Sequence, residues 1–156
     1  MLMDEATPTS DEIAQVRETH IGRLLQQAER AYRGEAVRRL QQRGHQQVTL
    51  AHVALLSHLD LAGTRLTVLA ERAGITKQSM RQLAIELKAL GYLVRSDDPT
   101  DQRAGLLKFT DAGWRFLQDA NIIKHELETL YREELGDEDF QRFRAALMKI
   151  THITEG

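Results

Sequence analysis

Three observations predict a mostly helical chain of the α+β class with one small hairpin set among the helices. Only two prolines occur, Pro8 and Pro99, so the long stretch between them lacks the strongest helix breaker. Apolar residues recur at helical spacing through most of the sequence. The exceptions are two short apolar, β-compatible runs, Tyr92–Arg95 and Leu106–Phe109, which flank a segment rich in turn residues.

Residues 1–10 read as a loose leader. A first helix is expected from Asp11 to about Arg33, because Ile13, Val16, His20, Leu24, Ala28 and Ala31 fall on one stripe. A second piece runs from Glu35 to about Arg43 and stops at Gly44. Thr49 is placed to cap a helix from Leu50 to about Leu61, closed by Gly63. A short helix follows from Val68 to Ala73, with Thr67 as cap and Gly74 as stop. Thr76 then opens a helix from Lys77 to Leu90, ended by Gly91. Ile75 and Met80 sit at the positions of a hydrophobic staple. Met80, Leu83, Ala84, Leu87 and Leu90 form the buried face of that helix. The hairpin comes next, with Ser96–Gly105 as a long polar tip. Thr110 caps a long helix from Asp111 to about Leu135, broken by Gly136 and Asp137. In the last helix Phe140, Phe143, Leu147, Ile150 and Ile153 share one face.

The 156 residues suit one ordinary domain. A hydrophobic fraction of 42% and a charged fraction of 28% allow a buried core and argue against a disordered tail. Cysteine is absent, which removes disulfides, thiolate metal sites and thiol switches together. No apolar run exceeds the four residues of Val53–Leu56, far short of the roughly 20 residues that span a bilayer. Met1–Glu12 is acidic and polar, without the basic and apolar regions of a secretory signal. A cytoplasmic protein without membrane contact is therefore expected.

The net charge of −2 argues at face value against a nucleic-acid partner. Its distribution argues the reverse. Residues 1–64 carry 7 basic and 8 acidic groups, residues 65–108 carry 8 and 5, and residues 109–156 carry 6 and 10. The one positive segment is Arg65–Lys108: short helix, tight glycine turn, longer helix, hairpin. That order is a helix-turn-helix followed by a wing, the turn Ala73-Gly74-Ile75 setting the two helices at a steep angle. The free face of the second helix offers Lys77, Gln78, Ser79, Arg81, Gln82 and Lys88, with Thr76 at its start. These types read base edges and hold phosphates in a major groove. No Asp or Glu occurs between Lys77 and Ile85, as a phosphate-facing surface requires.

Here the chain resembles the MarR family of winged-helix transcription regulators. Thr49–Leu56 (TLAHVALL) is similar to the family's threonine-started helix, and Leu66–Ile75 (LTVLAERAGI) to its support helix. Thr76–Leu93 (TKQSMRQLAIELKALGYL) is similar to its recognition helix. Asp98–Arg103 (DPTDQR) resembles the wing-tip signature, and Phe109–Gly113 (FTDAG) the start of the dimer helix. His52 stands where the family often has Gln, and Phe109 where Leu is common. The resemblance spans about residues 11–153. It implies a single MarR-like domain over 1–156, with residues 49–110 as the winged helix-turn-helix. Residues 11–48 and 111–153 would supply dimerisation helices.

The expected fold is therefore mostly α (α+β), a winged helix-turn-helix with a small two-stranded wing plus terminal dimerisation helices. Arg103, near the wing tip, is suited to a narrow minor groove where negative potential concentrates. Asp101 is repelled by phosphate, so orienting Arg103 or closing the turn suits it better. The resemblance implies the same division of labour. Asp97 and Asp98 shape the turn, and Arg95 and Lys108 on the wing strands are candidate phosphate contacts. An intertwined homodimer on double-stranded DNA is implied, presenting two recognition helices to half-sites one DNA turn apart. A pseudo-palindromic operator follows.

No cofactor or metal is expected. The resemblance implies a small-molecule effector, often a phenolic anion, and a ligand-responsive repressor. His20, Arg23, Tyr32, His52, Trp114 and Phe116 are the residues to inspect for such a pocket, each with core packing or surface as its plainer role. An enzyme finds little support: there is no Gly-rich phosphate loop, no Cys nucleophile and no nucleophile elbow. Six histidines occur without an HxxxH pair, and His52 and His58 point from different helix faces, which disfavours a local zinc pair. A metal-responsive regulator or a winged helix used for protein contact remain the alternatives. The latter would call for an acidic or apolar recognition face.

Overall fold

The computed structural model describes residues 9–154, without the side chains of residues 12, 18, 101–104 and 154. Residues 1–8 of the expected leader lie outside the described residues. The chain divides into two units after Glu35, inside the region expected to form the first dimerisation element of one domain.

In the first unit the expected Asp11–Arg33 helix is broken. Helix α1 spans Ser10–Thr19, and α2 begins at Ile21 and runs to Gln42. His20 makes the break, because its Nδ1 accepts from the Gly22 backbone N–H at 3.1 Å. A side chain that satisfies an orphan amide at a helix start is a cap. The stripe containing Ile13, Val16 and Leu24 is exposed. Gly34 does not interrupt α2, so the two expected helical pieces on either side of it are one.

The second unit starts within α2, whose Val37 and Leu40 are buried. Helix α3 spans Leu50–His58, shorter than the expected Leu50–Leu61. Arg72 Nη1 donates to the His58 carbonyl at 2.8 Å and to Asp60, and the Asp60 N–H donates to Thr64 Oγ1 at 2.9 Å. Those bonds close the chain into a turn and remove the reason to continue the helix. Thr64–Arg65 then form strand β1, and α4 spans Leu66–Ala73. The expected cap Thr67 lies inside α4. Extended Arg65 precedes the first turn, because it is already committed to the sheet.

Helix α5, Lys77–Ala89, is capped by Thr76, whose side chain accepts from the Ser79 N–H. Its Met80, Ala84 and Leu87 are buried as expected. Ile75, the proposed staple partner of fully buried Met80, stays 39% exposed. Strands β2 (Leu93–Asp98) and β3 (Asp101–Phe109) form the wing. The wing keeps its two expected strands, and the sheet takes in β1 beside them, giving three antiparallel strands in the order β1-β3-β2. The long polar tip is also corrected: Ser96 pairs with Leu106 and Asp97 with Gly105, leaving Pro99–Thr100 as the turn. Asp98 causes this by accepting from the Thr100 N–H at 2.9 Å and from its hydroxyl at 2.7 Å.

Helix α6 spans Asp111–Leu135 as expected, with the Thr110 side chain accepting from the Gly113 N–H. Helix α7 spans Asp137–Thr154. Leu40, Val48, Leu55, Leu56, Leu69, Met80, Leu87, Phe116, Ile123 and Leu127 are the largest fully buried side chains. They come from α2 through α6, so one core supports both the helix-turn-helix and the root of the wing. Each contributes about 1.5–3 kcal/mol by leaving water.

Candidate nucleic-acid interface

The turn between α4 and α5 is built by Gly74, which sits at φ +64 in the left-handed region. Its N–H and that of Ile75 both return to α4 carbonyls. This cap ends α4 and frees Thr76 to start α5 two residues later. With Met80, Ala84 and Leu87 turned inward, the opposite face of α5 is fixed outward. Lys77, Gln78, Ser79, Arg81, Gln82 and Lys88 are all exposed, as the sequence predicted.

These groups are not equally available. Thr76 Oγ1 accepts from the Ser79 N–H at 3.1 Å and lies 2.9 Å from Ser79 Oγ. Gln82 Nε2 donates to Glu86 Oε1 at 2.9 Å. Glu86 is held in turn by His52 Nε2 at 2.9 Å. The Gln82 bond first, then the His52 bond, keeps the Glu86 carboxyl below its ordinary range. Among the described residues, Lys77, Arg81, Lys88 and Arg95 make no ion pair.

Two concavities follow α5. One, of about 1060 Å³, runs along its first half and is lined by Thr76, Lys77, Gln78, Ser79, Arg81 and Gln82, among others. The other, of about 610 Å³, lies between α5 and the wing. Four cations line it: Arg65, Arg81, Lys88 and Arg95. Among the described residues, no Asp or Glu is in its lining. A concave, low-dielectric wall bearing one sign of charge focuses the field on an incoming anion.

The wing is pinned to the body at one end by Arg65 and Asp98. Arg65 Nε donates to Asp98 Oδ2 at 2.6 Å, and Nη2 donates to Thr100 Oγ1 at 3.1 Å. Asp98 is buried. The bonds from Thr100, with help from Arg65, lower its pKa to about 2. Sequence reasoning assigned Asp98 to the turn correctly and missed Arg65, whose partner is far away along the chain. At the wing root, Thr110 Oγ1 donates to the Gly91 carbonyl, and the Thr110 N–H donates to the Tyr92 carbonyl at 3.0 Å.

Arg95 and Lys108, expected as companion phosphate contacts, are separated. Arg95 pairs across the strands with Leu107, and Lys108 pairs with Val94, so they occupy opposite faces of the sheet. Arg95 lines the cavity beside α5. The stem of Lys108 lies over Gly63 instead, its Cγ 2.7 Å from where a Cβ there would sit. The side chains of Asp101 and Arg103 lie outside those described, and their backbone belongs to β3.

The residues singled out for an effector occupy distinct settings. His20 caps α2, Arg23 is exposed and Tyr32 half-buried, all in the first unit. In the second unit, His52 is buried and completes a capping box with Thr49. Phe116 is buried edge-on to His45 and Tyr92. Trp114 is exposed beside Phe109. His45 bridges Tyr92 Oη at 2.8 Å and Asp119 Oδ2 at 3.0 Å. Among the described residues, no group of three or more His, Asp or Glu side chains is arranged to hold a metal ion. None of their helices is long and apolar enough to cross a membrane.

Residues 46–104, from the loop before α3 to the wing, match the model of the MarR family. No curated protein matches the sequence. Among solved structures, the crystal structure of MarR aligns with a TM-score of 0.71 at 22% identity, over 86% of this chain and 97% of that one. CouR from Rhodococcus jostii RHA1, bound to p-coumaroyl-CoA, aligns with a TM-score of 0.66 at 24% identity, over 85% and 92% of the two chains. The transcriptional repressor CouR bound to a 23-mer DNA duplex aligns at 0.68 and 24% identity, over 87% and 95%. These likenesses establish the fold.

Proposed function

We propose that this chain, whose residues 46–104 match the MarR family model, is a DNA-binding transcriptional regulator of the MarR type rather than an enzyme. One observation carries the reading. The exposed face of α5 has no acidic residue before Glu86 and leads into a cavity beneath the wing that, among the described residues, is lined by four cations and no carboxylate. In this reading α5 enters the major groove, where Lys77, Gln78, Ser79 and Arg81 meet base edges. Lys88 and Arg95 meet phosphates, and Arg103, carried on the wing, enters the minor groove.

The active species is a homodimer. Exposed apolar stripes on α1 and α7, which include Ile13, Val16, Phe143, Ile150 and Ile153, support this. Two-fold symmetry then calls for a pseudo-palindromic operator with half-sites about 34–36 Å apart. A repressor released by a small aromatic or phenolic effector fits the fold shared with CouR, the neighbour bound to p-coumaroyl-CoA in one structure and to DNA in another. Such a regulator acts on DNA in the cytoplasm and needs no cofactor.

The test is a selection of bound genomic fragments, repeated with candidate aromatic acids. Recovery of a shared pseudo-palindrome, depleted when one acid is present, supports the whole reading. Fragments without a common sequence would overturn operator recognition, and enrichment indifferent to every acid tried would remove the support for this class of effector.

A further inference from the structure

Gly105 lies on β3 opposite Asp97, and Arg95 lies opposite Leu107. Side chains directly opposite one another share a face, so Arg95 and position 105 are diagonal neighbours on the same face of the wing. The Arg95 side chain runs across the bare Cα of Gly105. A Cβ at 105 would fall on Arg95 Nε, 2.9 Å from Cζ and 3.0 Å from Cδ. Gly105 does not hold a left-handed conformation, so its backbone does not ask for glycine. What asks for glycine is the arginine lying over it. Both residues line the cavity between α5 and the wing, with Arg65, Arg81 and Lys88.

We propose that Gly105 is a positioning residue for a phosphate seat, its missing Cβ letting the Arg95 guanidinium cross β3 and join the cations beside α5. The inference rests on the DNA-binding reading and deepens it. The ligand is a backbone phosphate of duplex DNA, held by charge and independent of sequence. Arg65 belongs to the seat as its fixed wall, because Asp98 and Thr100 hold its guanidinium in place. Arg95 is the movable member. The atoms that would collide with a Cβ are the far end of its flexible side chain, so an alanine at 105 displaces the guanidinium and leaves the strand pairing intact.

The experiment measures binding to a mixed-sequence duplex longer than two helical turns, over a range of salt, for wild type, Gly105→Ala, Arg95→Ala and the double variant. Each phosphate neutralised contributes about 0.9 to the slope of log affinity against log salt. Arg95→Ala is expected to lower the slope by about 1 per chain, and Gly105→Ala by nearly as much. Adding Gly105→Ala to Arg95→Ala should change nothing, because the side chain that the new methyl displaces is gone. Equal melting temperatures for wild type and Gly105→Ala are expected. If the single variant loses stability, the double variant still decides, since a backbone defect persists without Arg95 and a displaced guanidinium does not. A Gly105→Ala slope equal to wild type, or losses that add in the double variant, would overturn the proposal while leaving DNA binding in place. A wild-type protein that fails to bind the duplex, or binds it without salt dependence, would overturn the DNA reading as well.

Discussion

Arg65 on β1 and Asp98 at the end of β2 meet side chain to side chain, Nε to Oδ2 at 2.6 Å, and so tie the wing tip to the start of the support helix. Asp98 also closes the turn through Thr100, so one carboxylate holds both the shape of the tip and its place on the body. Its pKa of about 2, against an ordinary 3.8, gives this arrangement a pH signature. A carboxyl lowered by folding stabilises the fold fully above its unfolded value, and that stabilisation is lost as pH falls through the folded one. The wing should therefore loosen between pH 3.8 and about 2. Asp98→Asn should loosen it at neutral pH and flatten that part of the acid limb. Amide exchange of the β2 and β3 residues across this range is the measurement. An unchanged acid dependence in the variant would show that other carboxylates control it.

The start of α3 makes a second prediction. Thr49 Oγ1 accepts from the His52 N–H, and His52 Nδ1 accepts from the Thr49 N–H, which satisfies two orphan donors reciprocally. With Nδ1 accepting, His52 carries its proton on Nε2, where it donates to Glu86 on α5. Thr49→Ala should cost about 0.5–2 kcal/mol in urea denaturation. His52→Ala should cost more than the cap alone, since Glu86 also loses a partner. Equal losses would mean that the bond to α5 contributes nothing.

Two glycines separate a stability effect from a binding effect. A Cβ at Gly113 on α6 would fall on the Tyr92 carbonyl and come within 2.9 Å of Phe109 Cδ1. Backbone cannot swing aside as an arginine tip can. Gly113→Ala should therefore destabilise by about 1–3 kcal/mol, the usual cost of forcing volume into a packed site. A melting temperature unchanged from wild type would show that α6 can lift from the wing root without cost.

What was legible in the sequence follows from how local each signal is. Thr49, Thr76 and Thr110 were recognised as caps because a cap is written within three residues of the helix it starts. The buried face of α5 was legible from periodicity. The break at His20 was not, since the apolar stripe continues through it and the decisive bond is made by an imidazole, an uncommon cap. Strand β1 is two residues long and exists only because β3 lies beside it. For the site, the cations of α5 were legible as a face, while the separation of Arg95 from Lys108 needed the register of the hairpin. Arg65 needed its distant partner Asp98, and Gly105 read only as a turn residue until the side chain above it was known.

Base recognition tests the role of Arg81. It is exposed on α5, lines both concavities and makes no ion pair among the described residues. If it reaches a base edge with both guanidinium nitrogens, Arg81→Ala should relax preference at one operator position by about 1–3 kcal/mol. Competition between the selected operator and single-base variants measures this. A loss uniform across sequences would instead make Arg81 a phosphate contact, a member of the seat formed with Arg95.

The apolar face of α7 tests assembly. Phe140 is buried against the unit, with the Arg132 guanidinium 5.0 Å from its ring centre. Farther along the same stripe, Phe143 is 46% and Ile153 78% exposed. An apolar row that begins in the core and continues into solvent is suited to a second copy. Phe143→Glu with Ile150→Glu should convert a dimer to a monomer in sedimentation velocity without lowering the stability of the winged helix, whose core uses neither residue. The same variant should lose operator affinity far more than affinity for mixed-sequence DNA, because only the operator rewards two recognition helices held at a fixed spacing. A double variant that remains dimeric would move the interface elsewhere. A monomer with full operator affinity would refute the two-half-site reading and leave the single winged helix as the unit of recognition.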